Sequence, residues 1–172
     1  GILCLRETIM LIREHYLEKI RAFYDSDLIK IITGVRRCGK SVIMQQVMEE
    51  LKEAGKNCLF LDFEIKSVRN MLPDADALIN YVLDQIGEET LYLFLDEVQN
   101  VREWNEACRT MRRYNCSVFI TGSNSTLLSR EFARELSGRY VSFRIRPFVY
   151  KEAKEYSEQL KRGYGITDYL VW

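Results

Sequence analysis

Short apolar runs alternate with helix-period stretches along most of this chain. Five of the runs read as strands, at 28–33, 58–63, 91–95, 117–121 and 140–146. The third, LYLFL, is continuously apolar, as strands buried on both faces are. The fifth, YVSFRIR, alternates with period two before Pro147 ends it. Between the runs, apolar residues recur at helical spacing. Ile9, Ile12, Tyr16, Ile20 and Phe23 mark an amphipathic helix over 9–24, expected beside the sheet edge or near a bound ligand. Ile43, Met44, Val47, Met48 and Leu51 stripe a second helix directly after the first strand. Ala75, Leu78, Val82 and Ile86 stripe a third, opened by Pro73-Asp74 and closed by Gly87. Trp104, Ala107, Cys108 and Met111 follow Asn100, a candidate cap. Leu128, Phe132 and Leu136 face inward from a helix over 126–136, and Val149, Ala153, Tyr156 and Leu160 from a last one. Strands alternating with helices predict an α/β domain with a parallel sheet.

The first strand runs into Gly34-Val35-Arg36-Arg37-Cys38-Gly39-Lys40-Ser41, and Val42 lies in the helix that follows. Strand, G-x-x-x-x-G-K-S, helix is the context of a phosphate-binding P-loop. Glycine at 34 and 39 permits backbone angles that turn successive amides toward an anion. The helix N-terminus adds its positive end. Lys40 is placed to reach the β- and γ-phosphates of ATP, and Ser41 to hold Mg2+ through its hydroxyl. The third strand ends in Asp96-Glu97, 55 residues after Ser41, which fits a Walker B motif. Asp96 is the candidate second Mg2+ ligand, and Glu97 the candidate base that polarises an attacking water. The fourth strand ends in Gly122-Ser-Asn-Ser125. Asn124, or Ser123 beside it, is a candidate contact to the γ-phosphate or the water, and Ser125 serves equally as a helix cap. Asp62 and Glu64 lie at the end of the second strand, where ligands of open sheets bind, and read better as a solvated strand end.

Composition narrows the classes. At 172 residues with 47% hydrophobic content, the chain suits one globular domain. Its formal net charge is zero, so no overall pull toward nucleic acid or anionic membrane is implied. Locally, nine arginines, no lysine and four acids fall between Arg102 and Arg146. That excess motivates a weaker expectation of nucleic-acid binding. Five cysteines without a C-x-x-C suit a reducing, cytoplasmic setting. His15 is the only histidine, which excludes a Ser-His-Asp triad or a two-histidine metal site within this chain. No run approaches a membrane span, and the start has no signal-peptide pattern. Met10 is a candidate natural start. The apolar pattern interrupted at Trp172 suggests a longer protein.

The ordered set GVRRCGKS, LYLFLDEVQN, VFITGSNS and LSGRYVSFRIRPF resembles the prokaryotic AAA-like ATPases, in which an ATPase domain precedes a C-terminal, helical and nuclease-like region. The resemblance covers roughly residues 10–170. It implies a three-layer sandwich around a five-stranded parallel sheet in the order 5-1-4-3-2, with ATP and Mg2+ as ligands. It gives Lys40 and Ser41 the Walker A role, Asp96 and Glu97 the Walker B role, and Asn124 that of polar sensor. Arg139 matches the arginine-finger position, with Arg130 and Arg134 as rivals on the preceding helix. A finger would make the active form a homo-oligomer. The expected organisation is a helical segment at 1–24, an ATPase core at 25–162, and the start of a further region at 163–172. The small helical lid of AAA proteins is missing from the pattern. Two rival functions stand beside ATP hydrolysis. One is a P-loop kinase for a small molecule. The other is a nucleotide-gated interaction module with little turnover.

Overall fold

The computed structural model describes residues 2–34, 39–123, 127, 129–146 and 158. All five expected strands form: β1 (Ile29–Thr33), β2 (Asn57–Asp62), β3 (Leu91–Asp96), β4 (Cys116–Gly122) and β5 (Tyr140–Arg144). Every pairing is parallel, and the order is β2-β3-β4-β1-β5. This is the expected 5-1-4-3-2 order, read from the other edge. Parallel neighbours need crossovers, and helices supply them. They are α2 (Lys40–Glu53), α3 (Lys66–Met71), α4 (Ala75–Leu83), α5 (Trp104–Met111) and α6 (Arg130–Leu136). A long α1 (Ile2–Arg21) precedes the sheet.

Alternation along the strands divides the core into two. Ile29 and Ile31 of β1, with Leu91, Leu93 and Leu95 of β3, pack against α4, α5 and α6. Ile32, Tyr92, Phe94 and Phe119 face the other way, toward α1 and α2. The result is a three-layer sandwich with both sheet faces covered, as the apolar run of β3 requires. On the second face Tyr16, Leu17 and Ile20 of α1 are buried against α2 and the edge strand β5. Phe23 meets Phe143 edge-on, with ring centroids 5.7 Å apart. Arg21 pairs with Glu50 of α2, and the Tyr24 hydroxyl donates to the same carboxylate at 2.7 Å. The helix thus starts earlier than its stripe suggested; the side chains of Ile9 and Ile12 lie outside the described residues. Among the described residues, no helix is long and apolar enough to cross a membrane.

Three local expectations change. The short helix α3 was not expected, because its single turn and a half buries no residue and leaves no periodic stripe. Asn100 does not cap α5. It closes a 3-10 turn (Val98–Asn100), and its amide donates to the carbonyls of Phe63 and Glu97 at 3.3 and 3.2 Å. The chain must finish the turn after Asp96 before a helix can begin, so α5 starts only at Trp104. For α4 the expected cap holds, with the Asp74 carboxylate accepting from the Ala77 amide at 3.0 Å. The helix ends at Leu83, before the Ile86 and Gly87 of the sequence reading. Ser129 caps α6, accepting from the Phe132 amide at 3.3 Å. The expected helix through Val149, Ala153, Tyr156 and Leu160 lies outside the described residues.

Lys30 places a buried charge within the sheet. Lys30 is fully buried, and its ammonium donates to the Ser26 carbonyl and the Ser117 hydroxyl, both at 2.8 Å. It also stands 4.8 Å from the Phe119 ring centre. Ser117 passes the chain of bonds on to the Tyr24 carbonyl at 2.7 Å. Lys30 therefore ties β1 and β4 to the turn that follows α1. Burial lowers its pKa to about 8 from the ordinary 10.5. Below pH 8 both folded and unfolded chains hold this proton. Between about 8 and 10.5 only the unfolded chain does, so stability should rise with pH across that window. The rise should reach at most about 3 kcal/mol. Urea unfolding at a series of pH values should show this rise in the native chain, and Lys30→Met should flatten it.

Candidate functional site

The C-terminal ends of β1, β3 and β4 lie side by side and bring together residues far apart in sequence. Gly34 leaves β1, and Gly39, at φ 97°, opens α2 in the left-handed region that a side chain resists. Lys40 and Ser41 therefore stand in the first turn of α2, which starts at the sheet edge. The Ser41 hydroxyl donates to Asp96 Oδ2 at 2.9 Å. The Lys40 ammonium lies 3.1 Å from Glu97 Oε1, and both side chains are largely buried. All four of these expected residues thus meet in one place.

Asp96 ends β3, and its position follows from register. Leu95 pairs with Ile120, which sets Asp96 beside Thr121. The buried Thr121 hydroxyl donates to Asp96 Oδ1 and accepts from the Glu97 amide at 2.9 Å. Burial pushes the Asp96 carboxyl above the usual carboxylate range. The hydrogen bonds from Thr121 and Ser41 pull it back, while the charges of Asp62 and Glu97 push it further up. A cation would relieve that desolvation. Ser41 and Asp96 are oxygen donors within hydrogen-bond reach of each other, which suits Mg2+. That ion takes one or two protein oxygens and fills its shell with water and phosphate oxygens. Among the described residues, no group of three or more His, Cys, Asp or Glu could hold a metal by itself.

Glu97 adopts φ 55° and ψ 51°, left-handed angles uncommon outside glycine. Such a backbone costs about 1–3 kcal/mol and persists where its surroundings hold it. Here the Thr121 bond to its amide does so, and the turn directs the carboxylate back to Lys40. Gln99 fixes the other carboxylate oxygen, donating through Nε2 to Oε2 at 2.5 Å. The Gln99 carbonyl oxygen is buried and has no partner among the described residues. Gly122 makes room for it, since a Cβ there would fall 2.6 Å from that oxygen and 2.7 Å from Leu127.

Other expected residues fare differently. Val42 is exposed on the first turn of α2. Val35, Arg36, Arg37, Cys38 and Asn124 lie outside the described residues, as does Ser125. Ser123 is half-buried at the end of β4. Asp62, in register with Asp96, accepts from the Glu64 amide at 2.9 Å and closes the turn after β2. Arg139 is exposed and directly precedes β5, at the N-terminal edge of the parallel sheet. A strand of five residues spans about 15 Å, so Arg139 stands at the opposite edge from Lys40 and Asp96. Arg134 is exposed at the end of α6. The side chain of Arg130 lies outside the described residues.

Sequence reasoning missed Thr121, Gln99 and Gly122. Thr121 had a signal, being a hydroxyl at the end of the apolar run SVFIT, beside the strand that carries Asp96. Gln99 had none, because its role depends on the left-handed turn at Glu97.

Fold and site together define a P-loop α/β domain of AAA type. The AAA domain profile matches residues 26–154, and the chain belongs to that family. It is 39% identical over 149 residues to an uncharacterised protein of Haemophilus influenzae, covering 83% of this chain and 37% of that protein. It is 33% identical over 150 residues to an uncharacterised protein of Methanocaldococcus jannaschii, covering 81% and 31%. The chain thus spans about a third of the length of these relatives. Among solved structures it is similar to a chain of the Drosophila ORC bound to DNA. The TM-score is 0.53 at 11% identity, over 87% of this chain and 98% of that one. It is also similar to C. elegans PCH-2, with a TM-score of 0.52 at 16% identity, over 88% and 47%. At these identities the likeness is one of fold.

Thr121→Val should destabilise the chain by about 1–3 kcal/mol in urea unfolding, because it strips a buried carboxylate and a strained amide of one shared partner.

Proposed function

We propose that this chain binds ATP with Mg2+ and hydrolyses it. The observation that carries the reading is the meeting of Lys40 with Glu97 at 3.1 Å and of Ser41 with Asp96 at 2.9 Å, at the C-terminal edge of the sheet. Loop amides from Gly34 to Ser41 and the N-terminus of α2 would receive the phosphates. Lys40, now paired with Glu97, would turn to the β- and γ-phosphates and free the carboxylate. Glu97 would then take a proton from the attacking water, held in orientation by Gln99. Ser41 and Asp96 would hold Mg2+, which supplies charge neutralisation on the phosphates. Asn124, or Ser123, would sense the γ-phosphate.

Arg139 stands at the wrong edge to reach a nucleotide held by its own Lys40. A finger role therefore implies a second copy, with Arg139 of one chain completing the site of the next. We place the protein in the cytoplasm, consistent with free thiols at Cys58, Cys108 and Cys116. We take residues 1–24 as a helical segment, 25–162 as the ATPase core and 163–172 as the start of a further region. The greater length of the relatives supports a role in which turnover drives or gates a further region or a separate partner; in the proteins this sequence resembles, that region is C-terminal and nuclease-like.

Three measurements test this. Glu97→Gln should keep ATP binding and lower phosphate release, with no added acceptor, by about 10²–10⁴-fold. Unchanged release would remove Glu97 from the reaction, and ADP formed only with an added acceptor, the phosphoryl group passing to that acceptor and not to water, would make the protein a kinase. The same assay on the chain alone and joined to its natural continuation reads the coupling, and equal rates would count against gating. Mixing Lys40→Ala with Arg139→Ala protein should restore part of the activity each lacks. No recovery would argue against a finger acting between copies.

A further inference from the structure

A cavity of about 190 Å³ opens at the N-terminal edge of the sheet, between α5, α6 and the start of β1. Four arginines line it, Arg109, Arg112 and Arg113 from α5 and its end, and Arg139 from the turn before β5. Glu135 and Ser137 complete its polar wall. Arg112 is anchored, donating to the Asp27 carbonyl at 2.6 Å and to the Asp27 carboxylate at 2.9 Å. Arg109, Arg113 and Arg139 are exposed, and among the described residues no ion pair or side-chain hydrogen bond holds any of them. Four guanidiniums face two carboxylates, those of Glu135 and Asp27, so the cavity has a surplus of positive charge. The C-terminal ends of α5 and α6 favour cations nearby, which accounts for one or two of these arginines. It does not account for four around a single cavity.

Guanidinium forks match phosphate oxygens in pairs, and several forks lining one cavity suit a compact group of two or more negative charges. A nucleic-acid backbone asks instead for cations strung along successive phosphates. A single carboxylate would leave the surplus unmatched. We propose that this four-arginine cavity is a second phosphate site, separate from the P-loop, which takes the polyphosphate of a nucleotide. That nucleotide is either free in solution or held at the P-loop of a second copy, in which case Arg109 and Arg113 act beside Arg139. The second-copy form rests on the nucleotide-binding function proposed above, whereas the free form stands without it.

The test uses the intact protein with Lys40→Ala, which removes the ammonium that reaches phosphates at the P-loop. Calorimetry with inorganic tripolyphosphate should still detect binding. Adding Arg109→Ala and Arg113→Ala should weaken that binding at least tenfold with an unchanged unfolding midpoint, and lysine at both positions should recover part of it. Absence of binding to Lys40→Ala protein, or equal binding by the triple variant, would overturn the proposal. So would loss of oligonucleotide binding in the arginine variants without any tripolyphosphate binding, which would assign the surface to nucleic acid. Sedimentation separates the two sources. ATP-dependent association of Lys40→Ala protein with Arg109→Ala/Arg113→Ala protein assigns the ligand to a second copy. Tripolyphosphate binding without that association assigns it to free nucleotide. Failure of the native P-loop to bind ATP would sink the function proposed above and leave the tripolyphosphate result standing.

Discussion

The Asp96 carboxylate is the point on which the site depends. It is buried at the end of β3, where an ionised group is costly unless it is bonded or paired. Ser41 bonds one oxygen and Thr121 the other. These two bonds join the helix after β1, the end of β3 and the end of β4. The first turn of α2 and the acidic strand end are therefore locked together. Thr121 also holds the amide of Glu97, so the strained turn that aims the second carboxylate is braced by the same hydroxyl.

Lys40 and Glu97 extend this logic to a second pair of charges. Each is largely buried, and each would be an uncompensated charge without the other. Their pairing keeps a cation and a carboxylate together at the sheet edge. Gln99 and Gly122 add the geometry. The glycine leaves room for the amide that fixes the free carboxylate oxygen.

The opposite edge of the sheet has a different character. Lys30 closes its interior with bonds to Ser26 and Ser117, whereas the surface beside it carries the arginines of α5 and the turn before β5. A parallel sheet separates its two edges by the length of its strands. The basic edge and the edge that carries Lys40 and Asp96 can therefore meet only between copies.

Much was legible from the sequence. The continuous run LYLFL and the stripes of α2 and α4 encode burial through residue period alone, which is why five strands and a doubly covered sheet could be read directly. Lys40, Ser41, Asp96 and Glu97 were legible because loop and strand-end chemistry is local and its spacing is recognisable. The order of the strands came from resemblance, and hydrogen bonding between strands then fixed the register. Register decides that Asp96 lies beside Thr121, and no periodicity contains that fact. The left-handed turn at Glu97, the Gln99 amide beneath it and the room left at Gly122 arise only when three strand ends converge. The same holds for Arg109, Arg113 and Arg139. Along the chain they are charges on separate helix ends, and they become one cavity only because α5 and α6 pack against the same face of the sheet.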